Sequence, residues 1–231
     1  MVSIILGRVR EKSEFFLICA LVISLMKGVH VSADSQFEPQ VQNQEDKAQE
    51  IKPSEEAYQE VLDFWFQELT PKQWFEKDPR LDKDISERFG AIYEALLTGD
   101  LGWRVSSEGE LAEIIVLDQM GRNIHRHSAK MFAGDAKALN LAKSLVATGK
   151  IAHFSRIQQS FILSPYMHSE SIEDHDAAIV IRRKYRLDLE WEIKHQQIIE
   201  RFGRYPHRNA LLGRVSTKEE LEFLETPGSS F

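Results

Sequence analysis

Three arginines and a histidine fall within eight residues of the string Arg201-Phe202-Gly203-Arg204-Tyr205-Pro206-His207-Arg208-Asn209. A solvated charge run mixes lysine, glutamate and serine, and lacks the aromatic rings, the glycine and the proline found here. Arginines held on a tight aromatic turn can grip a carboxylate or phosphate through two parallel N–H bonds. They can equally pair with acids of the same chain, such as Asp118 and Glu170, and lock helices together.

Two further clusters break the pattern of ordinary helix surfaces. Leu117-Asp118-Gln119-Met120-Gly121-Arg122-Asn123 ends an apolar helix. Asp118 and Arg122 stand four apart, which allows an ion pair on one helical face, and Gly121 and Asn123 suit a helix end. Pro165-Tyr166-Met167-His168-Ser169-Glu170 reads as a helix junction. His168 and Glu170 there either cap the next helix or project into a shared pocket. The candidate ligand-binding residues are Asp118, Arg122, Asn123, His168, Glu170, His195, Arg201, Arg204, His207, Arg208 and Asn209. His168, Glu170, His195 and His207 are of metal-ligating type, but their spacing matches no compact motif and the adjacent arginines repel a cation, so no metal site is expected. Ser169 beside His168 lacks a G-x-S-x-G elbow, and no glycine-rich phosphate loop is present; no cofactor is expected.

The elements that must position these clusters are helical. Tyr58, Val61, Leu62, Trp65 and Phe66 recur at three- and four-residue spacing, as do Leu81, Ile85, Phe89, Ile92 and Leu96 before Gly99. Thr70-Pro71 with Gln73, Asp78-Pro79, Ser107 with Glu110, Asp135, and Ser216 with Glu219 each read as helix starts. A long helical stretch is expected from about Ser171 to Arg201. No alternating strand pattern bounded by hairpin turns occurs. The expectation is an all-α fold of stacked antiparallel helix pairs, in an α-solenoid-like or bundle arrangement. A net charge of −7 argues against broad nucleic-acid binding, which needs a basic face. The only cysteine, Cys19, lies in the N-terminal apolar run, so the helical body has no thiolate chemistry.

Arg8, Arg10 and Lys12 precede the apolar run Phe15 to Met26, which is followed by Val31-Ser32-Ala33. That layout matches a signal peptide over 1–33, with an apolar run shorter than a membrane span requires. Export, periplasmic or secreted, is the corresponding expectation, with a cytoplasmic location as the alternative if translation starts at Met26; an uncleaved anchor is a third reading. Residues 34–52, rich in Gln, Glu and Asp, read as a flexible linker, leaving 53–231 as a single all-α domain.

Together the clusters L-D-Q-x-x-R-N (Leu117 to Asn123), P-x-x-H-S-E (Pro165 to Glu170), His195 with Arg201 to Asn209, and L-G-R-x-S-T-x-E-E (Leu212 to Glu220) resemble the bacterial family known as domain of unknown function 924. Val61-Leu62-Asp63-Phe64-Trp65-Phe66 fits as well. The resemblance covers about Ala57 to Leu224 and implies a tetratricopeptide-like all-α superhelix; it implies no activity. Gly121 departs from it, standing where a proline is usual, which is expected to loosen that helix end.

Three functions are open at this point. A binding module would use Arg201, Arg204, His207 and Arg208 on a small anion or acidic peptide group, with Asp118, His168 and Glu170 orienting them. A hydrolase or phosphoryl-transfer enzyme would use His168 or His207 as acid and base, with arginines stabilising developing charge. A purely structural polar lock would need no ligand.

Overall fold

A computed structural model describes residues 55–230. The expected signal peptide and linker, 1–33 and 34–52, lie outside the described residues. The described residues belong to a compact unit, Ala48–Phe231, and among them there is no β-strand. No helix among them is long and apolar enough to cross a membrane. The fold is all-α.

Helix α1 (Glu55–Asp63) buries Tyr58, Val61 and Leu62 and runs into a π-helical turn, Phe64–Glu68, that buries Phe64 and Trp65. The helix expected at Thr70-Pro71 does not form. Gln73 Oε1 accepts from Thr70 N at 2.9 Å and from its hydroxyl at 2.8 Å, yet the segment stays a series of turns. The reason is tertiary: the Trp74 indole donates to the Trp65 carbonyl at 2.8 Å and packs edge-on against Phe161 at 5.2 Å. The chain is thereby drawn back over the core, and Asp78, extended before Pro79, restarts it.

Helix α2 (Pro79–Thr98) begins as expected, with Asp78 accepting from Arg80 N, and buries Leu81, Ile85, Phe89, Ile92, Tyr93 and Leu96. Helix α3 (Ser107–Ile114) is capped one residue earlier than expected, by Ser106 accepting from Gly109 N at 3.0 Å. It continues through a π-helical turn, Ile115–Met120, into α4 (Gly121–Ile124). Leu111, Ala112, Ile114, Ile115, Val116, Leu117 and Met120 are all fully buried, which makes this the central helix of the core.

Helix α5 (Asp135–Ala147) starts at Asp135, with Gly134 rather than Asp135 in the cap position. Helix α6 (Arg156–Ile162) has a Ser155–Gln158 capping box, and α7 (Ser164–Met167) is a single turn. The helical stretch expected from about 171 to 201 comprises two helices, α8 (Ile172–Tyr185) and α9 (Glu190–Phe202). They separate at Arg186, which has a left-handed backbone (φ +55°), and Leu187 turns in to bury. The last helix, α10 (Lys218–Leu224), is capped by Thr217 with Glu220, again one residue from the expected pair.

Helices α1, α2, α3, α5, α6, α7 and the central turn enclose the main apolar core, which includes Trp65, Phe89, Leu117, Phe161 and Tyr166. Ile198, Ile199 and Tyr205 form a separate small cluster with Ile172, Phe202 and Phe223 packed on it. A seam of polar contacts joins the two.

Candidate functional site

The seam begins in the π-helical turn. A residue added to a helical turn breaks the regular hydrogen-bond ladder and re-aims a side chain, and here the turn carries Asp118, fully buried among Ile115, Val116, Leu117 and Met120. Its carboxylate accepts from His168 Nδ1 at 2.7 Å and from the Gln119 amide, with Arg122 Nη1 at 3.6 Å. Burial by itself raises this carboxyl; the hydrogen bond and field of His168 and the Arg122 guanidinium outweigh it and hold Asp118 below the ordinary carboxylate range. The expected Asp118–Arg122 pairing is therefore present, although Arg122 donates to the Asp118 carbonyl as well.

Arg122 forms its closer pair with Asp135, through Nη1 at 3.0 Å and Nη2 at 3.2 Å. Asp135 opens α5, where the helix N-terminus favours a carboxylate. Gly134 makes that approach possible, because a Cβ there would meet the Leu117 carbonyl oxygen at 2.5 Å.

The arginine-rich string delivers a second guanidinium to the same carboxylate. Helix α9 ends at Gly203 (φ +66°), and a 3-10 turn, Pro206–Arg208, turns Arg208 inward. Arg208 is only 7% exposed. Its Nη2 donates to the His168 carbonyl at 3.0 Å, its Nη1 stands 3.6 Å from Asp135 Oδ2, and its buried Nε has no hydrogen-bond partner. The rings of Phe132 and Tyr205 lie 4.7 and 4.5 Å from the guanidinium carbon. Burial and the neighbouring Arg122 lower its pKa from the usual arginine value. A buried cation with one hydrogen bond and a share of one carboxylate is under-compensated.

Glu170 is fully engaged. It accepts from Arg214 in bidentate fashion, at 2.7 and 2.9 Å, and from Tyr205 N at 2.9 Å. Burial opposes its charge, but Arg214 and the Tyr205 N–H hold its carboxyl below the ordinary range. The Tyr205 hydroxyl donates to the Met167 carbonyl, and burial pushes its pKa up. His207 sits beside this ring, at 5.5 Å between centroids; burial first, then Arg208, lowers it to about 4, so it is neutral at pH 7.

Beneath these lies a network that the sequence does not single out. His175, fully buried, has Nδ1 at 2.7 Å from Glu192 and Nε2 at 3.0 Å from the Ser169 carbonyl. Arg182 Nε donates to the other Glu192 oxygen at 3.1 Å. This ties α8 to α9 and fixes the turn that carries His168.

Of the candidates, Asp118, Arg122, His168 and Arg208 meet at the seam, with Glu170 and His207 beside them. The other five are directed elsewhere. Arg201 pairs with Glu219 at 2.9 Å, and Arg204 clasps Glu220 at 2.6 and 2.8 Å. Asn123 donates to Asp82 at 2.8 Å, and Asn209 to the Ser216 hydroxyl at 3.1 Å. His195 is buried, donates from Nδ1 to the Trp191 carbonyl at 2.8 Å and meets the Tyr205 ring at 5.8 Å; burial lowers it to about 3. Asp135, Phe132 and Arg214 belong to the seam but not to the candidates. The i, i+13 spacing of Arg122 and Asp135 carries no periodic signal, whereas Arg214 lies inside the L-G-R-x-S-T-x-E-E string. Gly121 does not loosen its helix: a Cβ there would meet Tyr93 Cε2 at 2.6 Å, so the glycine makes room for that buried ring.

Comparison with functionally curated proteins finds no match. Among solved structures, a protein of unknown function from Agrobacterium tumefaciens is similar, at 33% identity and a TM-score of 0.66. The likeness covers 73% of this chain and 96% of that one. The family model for "Bacterial protein of unknown function" (DUF924) matches residues 61–228. With that match spanning the helical body and every cluster of the seam, the chain belongs to the bacterial DUF924 family.

Proposed function

We propose that the chain is a helical binding module, in tetratricopeptide-like stacking, whose polar seam takes a small anionic group at Arg122 and Arg208. The observation that carries this reading is the state of Arg208: a buried guanidinium between two rings, with one hydrogen bond and half a carboxylate. An anion adds the acceptors that this guanidinium lacks, and planar forks suit carboxylate or phosphate oxygens. Arg122, Asp135 and His168 keep 18%, 21% and 16% of their side chains exposed, so the place is recessed but reachable. The grip is narrower than the arginine string suggests, because Arg201 and Arg204 are committed to α10 and act as a clasp for it. Small anionic ligands or an acidic peptide group are the partners this site suits.

Calorimetric titration with inorganic phosphate and with acetate tests the proposal. Binding is expected, and Arg208→Met should abolish it while Arg204→Met leaves it intact. No heat and no stabilisation by either anion would instead favour a polar seam that only holds helices together.

A further inference from the structure

We propose that this site, if it holds an anion as above, hydrolyses a small phosphate ester, with His168 Nε2 taking the proton of the attacking water. The inference deepens the anion-site reading and depends on it. Its basis is the Asp118–His168 pair. Asp118 is fully buried and pinned by Gln119 and Arg122, and it accepts the Nδ1 hydrogen at 2.7 Å. A carboxylate in that position fixes the tautomer and plane of the ring, leaving Nε2 to handle protons. No described residue hydrogen-bonds Nε2, and the side chain is 16% exposed. Arg208 donates to the carbonyl of the same residue, and Arg122 borders the same carboxylate. An oriented proton acceptor therefore belongs to the residue whose carbonyl holds Arg208 and whose partner carboxylate is bordered by Arg122.

The other groups here are committed elsewhere. The Ser169 hydroxyl donates to Asp174 at 2.7 Å, so it is not a nucleophile activated by His168. The Tyr205 hydroxyl donates to Met167, and its pKa is raised. His175 is enclosed by Glu192 and Ser169. Among the described residues there is no cysteine, which leaves water as the nucleophile. In the step, a water oxygen bonds to phosphorus while Nε2 accepts one of its protons. The bond from phosphorus to the ester oxygen breaks, and the departing alcohol takes that proton back from Nε2. The products are the alcohol and the phosphate, with no redox change. Cationic forks favour phosphate over carboxylic esters, because its charge lies on the non-bridging oxygens throughout. Asp118 acts as a positioning residue.

The test uses the full chain with p-nitrophenyl phosphate, bis(p-nitrophenyl) phosphate and p-nitrophenyl acetate. Turnover of a phosphate ester is expected, reduced about 100-fold or more in His168→Gln, with inorganic phosphate still bound. Asp118→Asn should lower kcat and distort its pH profile while KM stays near wild type. Vanadate, a mimic of the five-coordinate transition state, should inhibit more strongly than phosphate, a readout that needs no variant. Phosphate binding without turnover of either phosphate ester overturns the hydrolysis and leaves the anion site standing. Turnover of the acetate alone overturns the substrate class. Absence of phosphate binding overturns both.

Discussion

Glu192→Ala tests the network under the seam. Glu192 is 1% exposed, and its two oxygens serve His175 at 2.7 Å and Arg182 at 3.1 Å. Removing the carboxylate strands a guanidinium that is 6% exposed next to an imidazole with no exposed surface. Breaking a buried pair from one side costs about 3 to 5 kcal/mol, because the partner keeps its desolvation without its compensation. For a domain of this size, that lowers the melting temperature by roughly 6 to 20 °C. Urea unfolding followed by far-ultraviolet circular dichroism and tryptophan fluorescence at pH 7 reads it directly. Glu192→Gln, which keeps the shape and one acceptor, should fall between wild type and alanine. The control is Glu222→Ala, in an exposed pair with Lys218 at 3.4 Å, expected within about 0.5 kcal/mol of wild type. A Glu192→Ala cost below about 1 kcal/mol, the range of surface pairs, would refute a dry, mutually dependent network.

Gly121→Ala should destabilise by ~1 to 3 kcal/mol through overpacking against Tyr93, and Tyr93→Leu in the same chain should recover part of that loss in urea unfolding. Stability should also fall as pH drops below about 6.5. His207 and His195, lowered to about 4 and about 3 in the folded chain, stay neutral there while the unfolded chain binds protons. Their contribution is complete above the unfolded histidine value and shrinks on acidification, by ~2 to 3 kcal/mol in total between pH 7.5 and 5.5. Asp118 and Glu170, held below the ordinary carboxylate range, add a further loss only at lower pH. Urea midpoints across this range check the sign, and a flat profile would contradict it; His207→Gln should reduce the slope.

The helix stripes were legible because apolar spacing and caps are local signals. Leu81 to Leu96 is the clear case, with Asp78-Pro79 at its start and Gly99 at its end. Capping boxes were legible only to within a residue: Ser106, Ser107, Ser216 and Thr217 are chemically equivalent caps, and the packing of Trp103 and Glu220 chooses among them. The Thr70 segment has complete cap chemistry and no helix, because Trp74 is worth more against Phe161 than in another turn. The π-helical turn was illegible, since an inserted residue changes the phase of a pattern that is apolar on every side. At the site, the pairing of Asp118 with His168 spans fifty positions and leaves no periodic trace. The types of the clustered residues revealed the place, but not which acid each arginine finds. Arg204 illustrates this: its partner, Glu220, also caps α10 by accepting from Thr217 N, so a residue readable as a ligand grip is held as a clasp.

The proposed anion site stands or falls with the Arg208 guanidinium. The most direct measurement follows the arginine side-chain N–H resonances by nuclear magnetic resonance while inorganic phosphate is added. The expected result is a saturable shift at Arg208, with a smaller one at Arg122, and no change at Arg204. A silent Arg208, or a response confined to Arg201 and Arg204, would contradict it.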